Sequence, residues 1–474
     1  MKNFAFLFAA LALLLATVST SYSQQEKQDG NSGQSGQQGA QDPGPRGAPI
    51  SAGAPVQGLS AEEVDYFNNG SNRFQEVETV PTGLGPGFNM NSCSGCHAQP
   101  AVGGSSPSTT AYPNLGPNPQ IAVATLDNAS NSIPSFITAD GPVREVRFVY
   151  TTNPNGSLTN TPDGGVHDVF TIAGRSDAQS CQLAQPNFEQ AQAQGNVIFR
   201  IPTPLFGLGM IEAITDEAIM SNAQTNASLK RQLGISGQPN RNGNDGTISR
   251  FGWKAQNKSL NLFAGEAYNV EMGVTNEMFP DERGFPPNPL PASCLLNNTP
   301  EDGTNFLAPG SDSAAVPSDI VMFATFMRLL DQPTPACTGT GCSHSVQNGA
   351  KVFAGIGCAL CHSPSMQTGP SYYAPAGISN VTANLFSDLL VHNMGSGLAD
   401  GVSQGTAGPS QFRTAPLWGI GQRVFFLHDG RTSDLQQAIL AHASSGSEAN
   451  GVISQFRGLN QNQKQDLLNF LRSL

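Results

Sequence analysis

Few stretches of this chain carry a hydrophobic pattern long enough to predict an element. Residues 4–18 form one apolar run, interrupted only by Thr17. Ser60 followed by Glu63 makes a capping box and predicts a helix to about residue 69. Val146, Phe148 and Tyr150 alternate with Glu145, Arg147 and Val149, the signature of a strand with one apolar face. Thr215 is placed to cap a helix running to about residue 233, with Ile214 and Ile219 as a hydrophobic staple. A further helix is expected from 319 to 330, with Phe323, Phe326, Met327 and Leu330 on one stripe, ended by Asp331-Gln332-Pro333-Thr334-Pro335. Beyond it, helices are predicted over 343–354 and 434–443. A last one is headed by Asn460 and Gln463 and buries Leu467, Phe470, Leu471 and Leu474. Elsewhere between about 98 and 312, Pro, Gly and Asn interrupt every pattern.

The elements describe a mainly α chain with extensive irregular loops and minor β. Composition agrees: 52 Gly and 34 Pro among 474 residues leave little room for long regular elements. Charged residues are only 12% and the formal net charge is −12, which excludes the basic footprint of a nucleic-acid binder. The scarcity of charge also excludes coiled coils and helical repeats. Residues 1–23 combine Lys2, the short apolar run and the small residues Ser21 and Ser23. They read as a cleaved signal peptide, with a transmembrane anchor as the alternative. Residues 24–58 are rich in Gln, Gly, Ser and Pro and read as a disordered low-complexity spacer. The expected compartment is the periplasm, or the extracellular space, with no integral membrane span once the signal is removed.

The chemistry is concentrated in two words. Cys93-Ser94-Gly95-Cys96-His97 and Cys358-Ala359-Leu360-Cys361-His362 are both C-x-x-C-H. That spacing sets two thiols to add across the vinyl groups of a haem, while the adjacent His ligates its iron from the same side. A zinc site would want four converging ligands, and a dithiol redox pair does not require the His. Two covalently bound haem c groups are therefore expected, held by Cys93, Cys96, Cys358 and Cys361, with His97 and His362 as iron ligands. The four other cysteines, Cys181, Cys294, Cys337 and Cys342, suggest two disulfides. Cys337 with Cys342 and Cys181 with Cys294 is one of three possible connectivities.

The stretches 83–104, 199–214, 250–280, 349–369, 386–401 and 411–442 resemble the bacterial di-haem oxidoreductase family, some of whose members carry a thiol-oxidoreductase label. That family is related to the di-haem cytochrome c peroxidases and to the di-haem enzyme of methylamine utilisation. The resemblance covers most of residues 59–474. It implies two cytochrome c-like haem domains, 59–332 with a large loop-rich insertion and 333–474. Peroxidase relatives carry a ligating Met, and the methylamine enzyme a Tyr, at the position matching His442. His442 is thus the candidate second ligand of the C-terminal haem, with Met394 as the runner-up. His428 is a candidate to stabilise its turn or to meet a haem propionate, and Arg431 and Arg413 are candidates for the same contact. Asn269-Val270-Glu271-Met272-Gly273 resembles the peroxidases' distal segment, which implies Glu271 as the acid–base for O–O cleavage. Trp253 is either an electron relay between the haems or a buried structural indole. The resemblance implies a peroxidase-like enzyme that draws electrons from a small cytochrome or cupredoxin and acts on peroxide or another small substrate. The alternatives are a non-enzymatic di-haem electron carrier and, below it, a thiol oxidoreductase.

Overall fold

A computed structural model describes residues 39–47, 52–108, 117–153, 155–284, 290–305, 317–372 and 375–474. The expected signal peptide, and the expected spacer up to residue 38, lie outside them. Helix α1 (Ala61–Gln75) opens on the capping box foreseen for it, with Ser60 Oγ accepting from Glu63 N and the Glu63 carboxylate accepting from Ser60 N. Its inner face packs on α3 (Asp319–Leu329), which also meets α2 (Leu260–Met272). Gly70 makes the first contact possible, because a Cβ there would lie 2.7 Å from the Met322 carbonyl oxygen. These helices organise the larger of the two main apolar cores among the described residues, which includes Phe67, Phe74, Phe323, Phe326 and Tyr268.

The second core is built where α4 (His344–Gly355) crosses α6 (Gln461–Ser473), with α5 (Leu435–Ala441) beside them. A Cβ at Gly349 would sit 2.0 Å from the Asp466 carbonyl oxygen, so only glycine permits this crossing. Residues 39–474 form one compact unit around both cores. About 34% of the chain is helical and 12% strand, a mixed composition rather than a mainly α one. The strands form six two-stranded antiparallel ladders among the described residues. Disulfides join Cys181 to Cys294 and Cys337 to Cys342.

Further features depart from the sequence reading, beginning with α1, which runs on to Gln75 rather than ending at about residue 69. The described part of the expected spacer is packed: Ala40 lies against the second core, Val56 is buried, and Val56 N donates to the Leu329 carbonyl at 2.8 Å. Specific backbone and ionic partners outweigh the segment's low-complexity composition.

The strand expected through Tyr150 ends earlier. Strand β1 (Glu145–Phe148) pairs antiparallel with β2 (Val197–Arg200), and a separate strand, Tyr150–Thr152, pairs with Leu158–Pro162. The Asn196 side chain causes the break by bonding both Tyr150 N and Tyr150 O, at 2.8 and 2.9 Å. Tyr150 is left exposed.

The helix capped by Thr215 stops at Gln224, and a second runs over Ala227–Leu233. Asn226 turns between them at φ 57°, a conformation Asn tolerates better than most residues.

Finally, α2 was hidden in the pattern. It is apolar around most of its circumference and shows no amphipathic stripe, although Ser259 caps its start and Gly273, at φ 73°, ends it.

Candidate functional site

Each C-x-x-C-H word opens onto its own cavity. Ser92 Oγ accepts from Gly95 N at 3.1 Å and starts the single helical turn Cys93–Cys96. Gly357, at φ 96°, admits the tight turn Cys358–Leu360. Cys358, Cys361 and His362 line the C-terminal cavity with Met394, Arg413, Arg423, His428 and His442. Cys93, Cys96 and His97 line the N-terminal cavity with Arg144, Glu145, Arg147, Arg200, Tyr268 and Glu271.

Three histidines are prepared in the same way. Nδ1 of His97 faces the Gly104 carbonyl at 2.9 Å, that of His362 the Phe386 carbonyl at 3.0 Å, and that of His442 the Ala438 carbonyl at 2.8 Å. A carbonyl partner on Nδ1 fixes the tautomer that leaves the Nε2 lone pair for a metal. Burial lowers all three, His97 and His362 to about 4, so the rings are neutral at physiological pH. His442 caps the C-terminus of α5, and its charge, if it had one, would be felt by His362.

Met394 reaches the same cavity from the strand edge, its backbone N–H bonded to the Ser410 carbonyl at 2.8 Å. His428 stacks on Phe412 at 4.4 Å, and burial lowers it to about 4. Arg431 does not join this group. It pairs with Asp429 at 2.6 Å and donates to the Gly397 carbonyl, outside both linings.

Trp253 lines both cavities. Its indole N–H donates to the Ile201 carbonyl at 2.9 Å, and the Arg423 guanidinium lies 5.9 Å from its ring. Glu271 stands in the last turn of α2, where Oε2 accepts from Asn89 Nδ2 at 2.8 Å. Burial, reinforced by the neighbouring charge of Glu145, pushes the Glu271 carboxyl well above the usual carboxylate range.

Several residues of these cavities escaped the sequence reading. Arg423 and Arg200 lie inside family-like stretches and Glu145 in the expected strand, but none of them, nor Arg144, was assigned to a site, and only the fold brings them to a cavity wall. A further network joins His392 to Asp388 and Glu448, with ring nitrogens 3.0 and 2.8 Å from the two carboxylates. Against the upward pull of burial, His392 holds Glu448 down at about 2.

The sequence motif and the twin cavities agree with a comparison against protein families. The model described as "Di-haem oxidoreductase, putative peroxidase" matches residues 149–474, just over two thirds of the chain. The chain belongs to that family. The match contains the second C-x-x-C-H word and Glu271 but begins beyond the first word. Among solved structures, the oxidoreductase resembles hydrazine synthase from Kuenenia stuttgartiensis in a xenon-pressurised crystal, at 12% identity and TM-score 0.32, over 95% of this chain and 100% of that one. It also resembles a MauG-like protein associated with microbial copper homeostasis, at 17% identity and TM-score 0.28, over 58% of this chain and 90% of that one. At these scores the backbones agree too loosely to carry functional weight. No curated protein sequence matches.

Membership implies haem as the cofactor, and the residues present fit it. Arg413 and Arg423 are buried on the C-terminal cavity, yet Nη1 of the first and Nε and Nη2 of the second have no hydrogen-bond partner. Burial pulls both guanidiniums down to about 10. Nε of Arg144 and Nε of Arg200 are orphaned on the N-terminal cavity in the same way. Buried cations with unused donors call for anions, and the propionates of a haem supply them. No helix among the described residues is long and apolar enough to cross a membrane.

Proposed function

We propose that this chain is an exported di-haem c-type oxidoreductase of peroxidase type. Its haems are attached through Cys93 and Cys96 and through Cys358 and Cys361, and each supplies a redox-active iron. His97 and His362 present Nε2 to those irons, and His442 completes the C-terminal pair, which suits that site to electron transfer. His442, like His362, lines the cavity with Nδ1 on a backbone carbonyl and Nε2 left free, which favours His442 over Met394. No second histidine lines the N-terminal cavity among the described residues, which leaves His97's side of it to peroxide or another small substrate. Glu271 moves protons there. The C-terminal site receives electrons from a small cytochrome or cupredoxin in the periplasm and passes them to the N-terminal site.

The observation that carries this reading is the position of Trp253, whose indole forms part of the wall of both cavities. An aromatic π-system at that point offers the short route that two cooperating redox centres require. The thiol-oxidoreductase alternative is disfavoured by burial, which pushes Cys93 and Cys358 up to about 12, so neither is a thiolate at neutral pH. The other four cysteines are consumed in disulfides.

The test is optical and paramagnetic spectroscopy of the holoprotein through a redox titration, followed by peroxide. The reading expects two haems per chain, one of them high-spin in the oxidised or half-reduced state and altered by peroxide. Two low-spin haems at every redox level, unchanged by peroxide, would instead identify an electron carrier.

A further inference from the structure

The N-terminal cavity holds a second carboxyl that the proposed function does not use. Glu145 begins β1, opposite Arg200 on β2. Alternate residues of a strand share a face, so Glu145 and Arg147 point the same way, and both line the cavity with Arg200 and Glu271. The Glu145 and Glu271 carboxyls line the same cavity, each close enough to shift the other's ionisation, and Glu145 also accepts from Arg147 Nε.

Two neighbouring carboxylates in a buried site cannot both be ionised, so the pair holds one proton. The surroundings decide where that proton sits. Burial raises Glu145, but the guanidiniums of Arg147 and Arg200 more than offset it and keep Glu145 in the ionised form. Among the described residues, Glu271 has the Asn89 amide as its further side-chain hydrogen-bond partner, and burial and the Glu145 charge outweigh the pull of Arg147, so the proton rests on Glu271. A Glu271 that already carries a proton cannot be the base that takes the first proton from peroxide.

We propose that Glu145 and Glu271 act as one acid–base pair, in which Glu145 accepts a proton while Glu271 donates one. The proposal rests on the peroxidase reading and completes it. The proton on the peroxide oxygen that stays behind would pass to the ionised carboxylate of the pair. The Glu271 proton would pass to the departing oxygen, and as the O–O bond breaks that oxygen leaves as water. The oxygen left behind would take two electrons from the donor protein, by way of the two haems, and two protons from solvent to leave as a second water, and the pair ends as it began, with one proton. Glu145 thereby takes the proton that an already protonated Glu271 cannot, and its strand keeps it fixed against the arginines.

The experiment uses the full-chain holoprotein and its Glu145→Gln, Glu145→Asp, Glu271→Gln and doubly substituted forms. Infrared spectroscopy of the oxidised protein should show a deuterium-sensitive carboxylic-acid C=O band that disappears in Glu271→Gln and shifts in Glu145→Gln. In stopped-flow, Glu145→Gln should slow the reaction with peroxide by about 100-fold or more, with cyanide binding unchanged. Glu145→Asp should recover part of the rate, and the double substitution should be no slower than Glu271→Gln alone. Unchanged spectra of both haems would establish that each variant is folded. Absence of the band in a wild-type protein that reacts with peroxide overturns the pair, as does a wild-type rate in Glu145→Gln. A wild-type protein that shows the band but ignores peroxide overturns the peroxidase reading, and with it the pair's acid–base role.

Discussion

Asp42 and Arg472, 430 residues apart, meet in a bidentate pair: Oδ1 accepts from Nε and Oδ2 from Nη2, both at 2.7 Å. Both side chains are only 5% exposed. Asp42 Oδ2 also accepts from Leu435 N at the start of α5, and Arg472 donates to the Arg423 carbonyl. The pair therefore clasps the start of the described chain to the two helices that frame the C-terminal cavity.

Replacing Asp42 with Ala leaves the Arg472 guanidinium buried and uncompensated, which costs about 3–5 kcal/mol. Urea denaturation of the two proteins measures the loss. The clasp is also acid-sensitive. Burial raises Asp42, but Arg472 and two backbone N–H groups lower it further, to below its unfolded value. The contribution is thus complete above about pH 4, the unfolded pKa of Asp, and is lost as pH falls through the lower folded pKa. In Asp42→Ala that part of the acid dependence should disappear.

The second ligand of the C-terminal haem can be decided by two substitutions. His442→Ala should convert that haem from low-spin to high-spin, while Met394→Ala should leave it low-spin. Electron paramagnetic resonance of the oxidised holoprotein reads both. The opposite result would transfer the role to Met394.

Arg423 presents unused donors to the same cavity. Arg423→Met removes a buried positive charge from beside the proposed propionates and stabilises the oxidised haem. Its reduction potential should fall by on the order of 60 mV, about 1.4 kcal/mol for one electron. Spectroelectrochemistry of the C-terminal haem provides the value, with Arg431→Met as the control expected to change nothing.

Trp253→Phe keeps an aromatic ring but loses the indole and its hydrogen bond to Ile201. Electron passage between the two sites should slow by about tenfold, equal to about 1.4 kcal/mol in barrier, with both haem spectra preserved. The lost hydrogen bond should cost about 1 kcal/mol of stability. Photoreduction followed in time separates the kinetic effect from the stability effect.

How much of this was legible beforehand depended on whether the signal was local. Ser60 with Glu63, and Asn460 with Gln463, are self-contained capping devices, and both helices start where those pairs put them. The two C-x-x-C-H words are equally local, because covalent haem attachment needs its thiols and His on one short turn. By contrast, α2 gave no stripe to read, being buried on most sides, so the helix that carries Glu271 was invisible although the Asn269–Gly273 word was not.

By itself, then, the sequence determined the two C-x-x-C-H words, the capped helices and the shortage of regular structure. Tertiary structure alone decided what surrounds that chemistry. Trp253 lines two cavities, Arg423 and Arg144 keep unused donors, and Glu145 and Glu271 enter one cavity because residues far apart in the chain converge there. A buried charge acquires its meaning from its neighbours in space, through desolvation and Coulomb interaction, and neither leaves a mark on the adjacent sequence.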